Sequence, residues 1–440
     1  MEQTIAAIAT PVGKGGVAII RISGKDAHAC LDKVFKKKNM EMRKMYYGGV
    51  YDGENLIDKC LCVKFDKNAS YTGEETSEIQ CHGGYASARD ILETVLKNGA
   101  RMASSGEFTR RAFMNGKIDL SQAEAVSDII EADTKSASRA AARLLSGALG
   151  QKITGFQDSI KELLTAIEAG IDYPDEIDEQ HTALTIKTEV QKMIPEIENL
   201  ISGYRQGRIT KEGLKVCLLG KPNAGKSSLL NSICGYERAI VTDIAGTTRD
   251  TLHEILDFDG IRVDLFDTAG IRESEDIIEK AGVKRSTLTA EESDVILAVM
   301  DATETPDFSF MDFNKLQDKK GLFVFNKCDV NKPKDATLPV DWNRVEISCK
   351  TGENVLKVID FIKNVAKQND TSSALTVTSA RHYDALVNAR NCLLNCLEEM
   401  PPDILSIDLT TAWSELGVIT GQTVTEDIVN NIFEKFCVGK

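Results

Sequence analysis

Gly220-Lys221-Pro222-Asn223-Ala224-Gly225-Lys226-Ser227 is the stretch that decides the fold. It matches G-x-x-x-x-G-K-[ST], the phosphate-binding P-loop. Before it, Leu214–Leu219 is a short, mostly apolar run that reads as a buried strand. After it, Ser228-Leu229-Leu230-Asn231 opens a helix. Strand, glycine loop and helix start are the context that the motif requires. The glycines let backbone N–H groups turn inward around phosphate oxygens, and the helix N-terminus adds positive potential. Lys226 is expected to reach the β/γ-phosphates and the Ser227 hydroxyl to bind Mg²⁺, with Asn223, Ala224, Gly225 and Ser228 completing the cradle.

Working outward, 440 residues are too many for one core and predict two to four domains. The 42% hydrophobic and 27% charged fractions suit a globular chain, and a net charge of −14 argues against a broadly basic nucleic-acid-binding surface, though a local basic patch is compatible with it. No apolar run approaches membrane-span length, and Met1-Glu2-Gln3-Thr4 lacks a signal pattern, so a cytoplasmic protein without a membrane is expected. Eleven cysteines, an odd number without a CxxC pair, and five histidines far from paired cysteines argue against a disulfide scaffold and a zinc site. Cys60/Cys62 and Cys392/Cys396 read as small buried hydrophobes at strand and helix spacing.

In the N-terminal block, Thr4–Thr10 and Val17–Ile22 are β-like runs joined by Pro11–Gly16. That joint reads as a hairpin loop, since a phosphate cradle would need a following helix. Tyr46–Phe65 reads as two strands about an Asp52-Gly53 turn, and Ala86–Leu96 has helical spacing. This is a small α+β domain, 1–117. Helical pattern then fills 118–211: Ser121-Gln122-Ala123-Glu124 reads as a capping box, Phe156, Ile160, Leu163, Leu164 and Ile167 form a stripe, Tyr173-Pro174-Asp175 breaks it, and Ile186–Ile201 restores it. The acidic cluster between Asp172 and Glu179 reads as a solvated loop.

Residues 212–368 alternate strand and helix, the mark of a mostly parallel α/β sheet. His253–Phe258 and Ile261–Phe266, about an Asp259-Gly260 turn, are its one expected antiparallel pair; Val295–Met300, Gly321–Phe325 and Val345–Ile347 are further strands, and Asn354–Val365 a closing helix. Four more signals fall in loops. Asp267-Thr268-Ala269-Gly270 supplies an Asp for the Mg²⁺ shell and a Gly N–H for the γ-phosphate. Asn326-Lys327-Cys328-Asp329 offers Asp329 to the guanine N1–H and 2-amino group, a donor pair that adenine lacks, so GTP is selected over ATP. Ser348-Cys349-Lys350 suits the loop over the base, and Thr242-Asp243-Ile244-Ala245-Gly246-Thr247-Thr248 suits a switch. All five together specify a guanine-nucleotide-binding domain. Ile271 stands where small signalling GTPases place a water-orienting Gln, so water positioning must come from elsewhere. Spacing alone leaves Asn223 either a ligand for a charge-supplying monovalent cation or a plain loop residue.

In 369–440, Leu386, Ala389, Leu393 and Leu397 share a face; Leu405, Leu409, Ala412, Trp413 and Leu416 make a second; Ile428, Ile432, Phe433 and Phe436 a third. These stripes need partners, as do those of 118–211. The expected architecture is therefore multidomain α/β and α: an N-terminal α+β domain, a split all-helical domain, and a Ras-like P-loop GTPase domain inserted into the latter. The tail Cys437-Val438-Gly439-Lys440 has the outline of a prenylation box, but Gly439 and Lys440 rule that out. Cys437 stands as either a bland terminal cysteine or a nucleophile beside a cation.

From end to end the chain resembles the MnmE (TrmE) family of tRNA-modification GTPases. The resemblance rests on Thr10–Gly16 followed by Ile19-Ile20-Arg21-Ile22-Ser23-Gly24, on Tyr71-Thr72-Gly73-Glu74 and on Gly106-Glu107-Phe108-Thr109. The Gly220–Ser228 loop, Thr242–Asp250 and Phe436-Cys437-Val438-Gly439-Lys440 complete it. It implies a homodimer that acts with an FAD-dependent partner of the MnmG (GidA) kind, as a heterotetramer. Together they add an aminomethyl or carboxymethylaminomethyl group to C5 of the wobble uridine of certain tRNAs. The one-carbon unit comes from 5-formyl- or 5,10-methylene-tetrahydrofolate on the N-terminal domain, where motif match points to Arg21, Glu78 and Lys117, with Lys440 reaching in from the tail. A carboxylate suits the pterin N–H face and cations suit folate carboxylates. Cys437 becomes a candidate catalytic thiol. The resemblance further implies K⁺ activation through Asn223, Thr242, Ile244 and Thr247, Mg²⁺ on Ser227 and Thr248, Glu279 as the water-orienting acid, Arg249 steadying the switch, and hydrolysis when two G domains meet face to face. Ser-Cys-Lys at 348–350 departs mildly from the commoner Ser-Ala-Lys. A GTP-switch ribosome-assembly factor without group transfer is the alternative; it predicts a second G domain or a basic RNA-binding module. A membrane-remodelling GTPase would need an amphipathic or apolar insertion segment, and the sequence has none.

Overall fold

A computed structural model describes residues 3–11, 13–37, 39–173, 179–239, 253–267, 290–316, 318–334, 337–367, 375–398 and 400–440. The chain divides into two compact units. One gathers residues 1–127, 143–194 and 388–440, and the other gathers 128–142 and 195–387.

The first unit holds a six-stranded sheet of β1 (Ile5–Ile8), β2 (Gly15–Ser23), β3 (Tyr46–Asp52), β4 (Asn55–Phe65), β5 (Thr76–Gly83) and β6 (Arg101–Met102). The spatial order is β3-β4-β5-β2-β1-β6, antiparallel except for β1 beside β6. The expected hairpin of β1 and β2 is present, in register Ile5 opposite Ser23. Alternate residues of the strands, among them Ile20, Ile22, Val50 and Ile79, pack with the helices Ala27–Val34 and Tyr85–Lys97. Cys60, Cys62 and Cys81 belong to this core; burial is the largest influence on the Cys81 thiol and pushes it up to about 11. Ile5, Ala7, Ala103 and Phe108 form a second small cluster.

In the helical part of this unit, Phe156, Ile160, Leu163 and Ile167 are buried along the helix Ala148–Asp172, as their spacing predicts, while Leu164 is only half-buried. This helix packs against Pro402–Thr420, where Leu405, Leu409, Ala412 and Leu416 are buried and Gln157 donates to the Trp413 carbonyl at 3.1 Å. Two sequence expectations are corrected. The cap of the helix Leu120–Glu131 is Asp119, two residues before the expected box: its Oδ1 accepts the Gln122 N–H at 2.8 Å while Gln122 Oε1 accepts the Asp119 N–H at 3.0 Å. On the helix Glu426–Glu434 the buried stripe is Val429 and Phe433, continued by Phe436, whereas Ile428 faces solvent. Ile432 packs against the same cluster as expected, so only Ile428 gives way, to Val429 one residue and 100° of helix rotation away.

The second unit is built on β7 (Leu214–Leu219), β8 (Arg238–Ala239), β9 (His253–Phe258), β10 (Ile261–Asp267), β11 (Val295–Asp301), β12 (Lys320–Asn326) and β13 (Asn343–Glu346), ordered β13-β12-β11-β7-β10-β9-β8. The first five in that order run parallel. The expected antiparallel pair, β9 and β10, has a second beside it, because β8 adds to β9. Both faces are covered, which is why these strands read as near-continuous apolar runs. Leu214, Val216 and Leu218 face the helices Lys226–Tyr236 and Val355–Lys367, while Cys217 and Leu219 face Phe323, Phe325 and Trp342. From β7 the chain builds outward to one side through β8–β10 and then to the other through β11–β13. Ligands of open α/β sheets bind at such a switch point, beyond the carboxyl ends of the strands.

Candidate functional site

The P-loop leaves β7 at that switch point. Gly220 passes so close to β11 that a Cβ would lie 2.2 Å from the Val299 carbonyl oxygen. Gly225, at φ +96°, caps the helix Lys226–Tyr236, and a Cβ there would lie 2.1 Å from Asn326 Nδ2. Asn223 is left-handed, φ 64°, a conformation that Asn tolerates, and is exposed at the turn of the loop. The buried Lys226 donates to the Gly220 and Lys221 carbonyls at 2.7 and 2.8 Å. Ser227 donates its hydroxyl to Asp267 Oδ2 at 2.7 Å. Asp267 stands at the end of β10, the strand beside β7, and is 3% exposed. A hydroxyl and a carboxylate at this spacing form an all-oxygen donor set, the kind that Mg²⁺ takes.

The Asn326–Asp329 and Ser348–Lys350 loops close on the same edge. Asn326 ends β12 and bridges two loops: its Nδ2 donates to the Ala224 carbonyl at 3.3 Å and its Oδ1 accepts the Cys349 N–H at 3.1 Å. Lys327, just beyond the end of β12 and left-handed at φ 69°, donates at 2.5 Å to Oδ2 of Asp301, the last residue of β11. Burial pushes the Asp301 carboxyl up, but Lys327 and the Thr303 hydroxyl and N–H outweigh it and hold the group below the usual range. Asp329 is exposed and oriented by the Ser348 hydroxyl, which donates to its Oδ1 at 2.7 Å. Lys350 is exposed on the loop that Ser348 begins, and Ser228 is exposed in the first turn after the P-loop. Thus Asn223 through Ser228, Asp267, Asn326, Lys327, Asp329 and Ser348 through Lys350 gather at one edge of one sheet. Sequence reasoning missed Asp301, although its place at the carboxyl end of a strand was a usable signal. Thr242, Asp243, Ile244, Ala245, Gly246, Thr247, Thr248, Arg249, Thr268, Ala269, Gly270, Ile271 and Glu279 lie outside the described residues.

In the first unit a second cluster forms around β2. Arg21 Nε donates to Glu78 Oε1 at 3.0 Å across the β2–β5 ladder. Its guanidinium lies 5.9 Å from the Tyr71 ring centroid and 5.7 Å from that of Phe108. Lys117 is exposed and donates to the Asn68 carbonyl at 2.7 Å, on the loop that leads to Tyr71. The tail docks here: Ser105 and Val438 pair in a β-bridge, and the Phe108 N–H donates to the Lys440 carbonyl at 3.1 Å. Gly439 is left-handed at φ +97°, and a Cβ would sit 2.3 Å from the Ile8 carbonyl oxygen. Arg21, Glu78 and the tail backbone at Lys440 therefore share one neighbourhood, with Lys117 on its flank. Cys437 is exposed on the same tail. The supporting network is ionic. Glu107 accepts from Arg101 at 2.6 and 2.8 Å, from the Ser104 N–H at 2.9 Å and from Arg111 at 2.8 Å. Burial pushes the Glu107 carboxyl up, but Arg101, Ser104 and Arg111 together bring it down to about 2. Arg111 also binds Glu74 at 2.9 Å, and Glu74 accepts the Ser23 hydroxyl at 2.8 Å. The Arg21–Glu78 ion pair thus lies against the Tyr71 ring and the buried Phe108 ring, with the exposed Lys117 on its flank.

Two family models match. Residues 4–117 match the GTP-binding protein TrmE N-terminus and residues 120–437 the MnmE helical domain. Among curated proteins, the tRNA modification GTPase MnmE of Clostridioides difficile (strain 630) is 42% identical over 459 residues, covering 100% of both chains. That of Thermoanaerobacter sp. (strain X514) is 42% identical over 457 residues, covering 100% of this chain and 99% of its own. That of Desulforamulus reducens is 40% identical over 462 residues, covering 100% of both.

Proposed function

This chain belongs to the MnmE family of tRNA modification GTPases, and from that premise we propose that it is a K⁺-activated GTP hydrolase. Its hydrolysis drives the addition of a carboxymethylaminomethyl or aminomethyl group to C5 of the wobble uridine of certain tRNAs. The observation that carries the reading is that one chain holds both a guanine-nucleotide edge and a separate Arg21–Glu78 cluster that the tail reaches.

At the nucleotide edge, Asp329 reads guanine and Asn326 joins its loop to the P-loop. Lys226 moves from the loop carbonyls to the β/γ-phosphates. Ser227 and Thr248 would hold Mg²⁺, which would supply charge stabilisation to the phosphates. Asn223, left-handed and exposed, would hold K⁺ with Thr242, Ile244 and Thr247, and the ion would supply the positive charge that an arginine finger gives in other GTPases. Glu279 orients the attacking water in place of a Gln, and Arg249 steadies the switch.

Around β2, Arg21, Glu78 and Lys117 bind a tetrahydrofolate, the pterin meeting the Glu78 carboxylate and the tail carboxylates meeting Lys117 and Lys440. Cys437, exposed on the docked tail, is the candidate thiol. The division into 1–117, 118–211, 212–368 and 369–440 is part of the proposal, as are a homodimer, a heterotetramer with an FAD-dependent MnmG-like subunit, and a cytoplasmic location. Among the described residues no helix is long and apolar enough to cross a membrane. Nucleoside analysis of tRNA from cells lacking this protein tests the reading. Loss of the wobble modification supports it. Normal tRNA with immature ribosomes would overturn it in favour of a ribosome-assembly switch.

A further inference from the structure

The chain carries a net charge of −14, so a polyanion is repelled by most of its surface and must meet it at a local concentration of cations. The strip 33–44 carries five described cations, Lys33, Lys36, Lys37, Arg43 and Lys44, against a single acid, Glu41. The segment leaves the helix Ala27–Val34, bridges β3 through Phe35 and Val50, and turns back to enter β3 at Tyr46. Lys38 lies outside the described residues; the other five cations are all exposed.

Three of its cations rest against aromatic rings, and Lys33 donates to the Asn98 carbonyl at 2.9 Å. Lys36 Nζ lies 4.4 Å from the Tyr51 ring centroid, Lys37 Nζ 4.8 Å from that of Tyr46, and Lys44 Nζ 5.8 Å from Tyr46. The turn itself is anchored by the Arg43 N–H, which donates to the Lys64 carbonyl at 2.7 Å. Lys192, Lys315 and Lys367, by contrast, are held by Glu189, Glu291 and Asp259, while Lys152 also rests on a ring, that of Phe156. A carboxylate cancels the charge that it positions. An aromatic ring positions the ammonium through its quadrupole and leaves the full charge to face outward. Among the described residues of the strip, only Lys44 has a carboxylate partner, Glu41 at 2.9 Å.

We propose that this strip binds the phosphate backbone of RNA, and that the RNA is the tRNA substrate. The proposal rests on the functional reading above for the identity of the RNA, and on the strip alone for the place of contact. A membrane surface fits less well, because such binding uses an amphipathic helix, and the strip is a turn between a helix and an edge strand.

The test uses the full chain and an unmodified tRNA transcript, with affinity measured by fluorescence anisotropy across a KCl series. Each phosphate contact contributes about 0.9 to the slope of log K against log[salt], so removing two lowers the slope by about two and weakens binding about 60-fold at roughly 0.1 M salt. That is the expected result for Lys36→Ala/Lys37→Ala, with GTP hydrolysis unchanged. Lys36→Arg/Lys37→Arg keeps both charges and should bind as wild type does. Wild-type affinity and slope in the alanine variant would overturn the proposal. So would a variant that keeps tRNA binding but loses sedimentation with phosphatidylglycerol vesicles, which would assign the strip to a membrane. Absence of tRNA binding by the wild-type chain would also overturn it, while the cellular nucleoside analysis decides separately whether the functional reading stands.

Discussion

Replacing Asn326 by Ala removes the side chain that joins the P-loop to the loop over the base. Asn326 is 3% exposed and makes two hydrogen bonds to backbone, to the Ala224 carbonyl at 3.3 Å and from the Cys349 N–H at 3.1 Å. Ala224 is buried, so its carbonyl has little access to replacement water, while Cys349 is half-buried and recovers part of its loss. At about 1–1.5 kcal/mol for each backbone group left without its partner, the change costs about 2–3 kcal/mol. On the proposed function the P-loop meets the phosphates and the Ser348–Lys350 loop the base, so the cost should fall on GTP affinity, a rise in Kd of about 30- to 150-fold. Titration with a fluorescent GTP analogue reads this directly, alongside the thermal midpoint of the nucleotide-free protein. A second variant sharpens it. Gly225→Ala places a methyl 2.1 Å from Asn326 Nδ2 and also strains a φ of +96°. In the Asn326→Ala background the collision disappears and only the backbone strain is left, so the two effects should sum to less than their separate values. A Kd within threefold of wild type for Asn326→Ala would refute the reasoning. A lowered thermal midpoint with unchanged Kd would refute it equally, by making Asn326 a support for the fold alone.

Three other outcomes are expected. Asn223→Ala should hydrolyse GTP equally in Na⁺ and K⁺, whereas wild type should prefer K⁺, a comparison that steady-state phosphate release makes; a wild-type rate indifferent to K⁺ would end the cation assignment. Glu107, held at about 2 against an ordinary 4.5, binds fewer protons folded than unfolded, so its contribution, at most about 3 kcal/mol, is complete above pH 4.5 and fades as pH falls towards 2. Glu107→Gln should flatten acid unfolding in that window, followed by circular dichroism. Gly439→Ala, with a methyl 2.3 Å from the Ile8 carbonyl oxygen, should lift the tail, and hydrogen exchange at the Phe108 N–H should rise at least tenfold.

Much of the nucleotide edge was legible because its motifs are local. A glycine loop between a strand and a helix is specified by adjacent residues, and strands buried on both faces announce themselves as apolar runs. The parts read incorrectly were those where several local solutions compete. Asp119 and Ser121 are both good caps, and packing of Leu120 and Ala123 into the core with Phe433 selects the first. The two-residue strand β8 is too short to leave a pattern, and its pairing with β9 is decided by the neighbouring edge.

The sequence by itself determined that this chain is a GTPase of multidomain α/β and α architecture, since every guanine-nucleotide motif is a short run of adjacent residues. Only the tertiary structure decided which distant groups support them: Asn326 against Ala224, 102 residues away, and Lys327 against Asp301. The Phe108 N–H against the Lys440 carbonyl, and lysines set on tyrosine rings at a sheet edge, are of the same kind. Such pairs depend on strand register and on where the chain ends meet, and neither is encoded in any short run of residues.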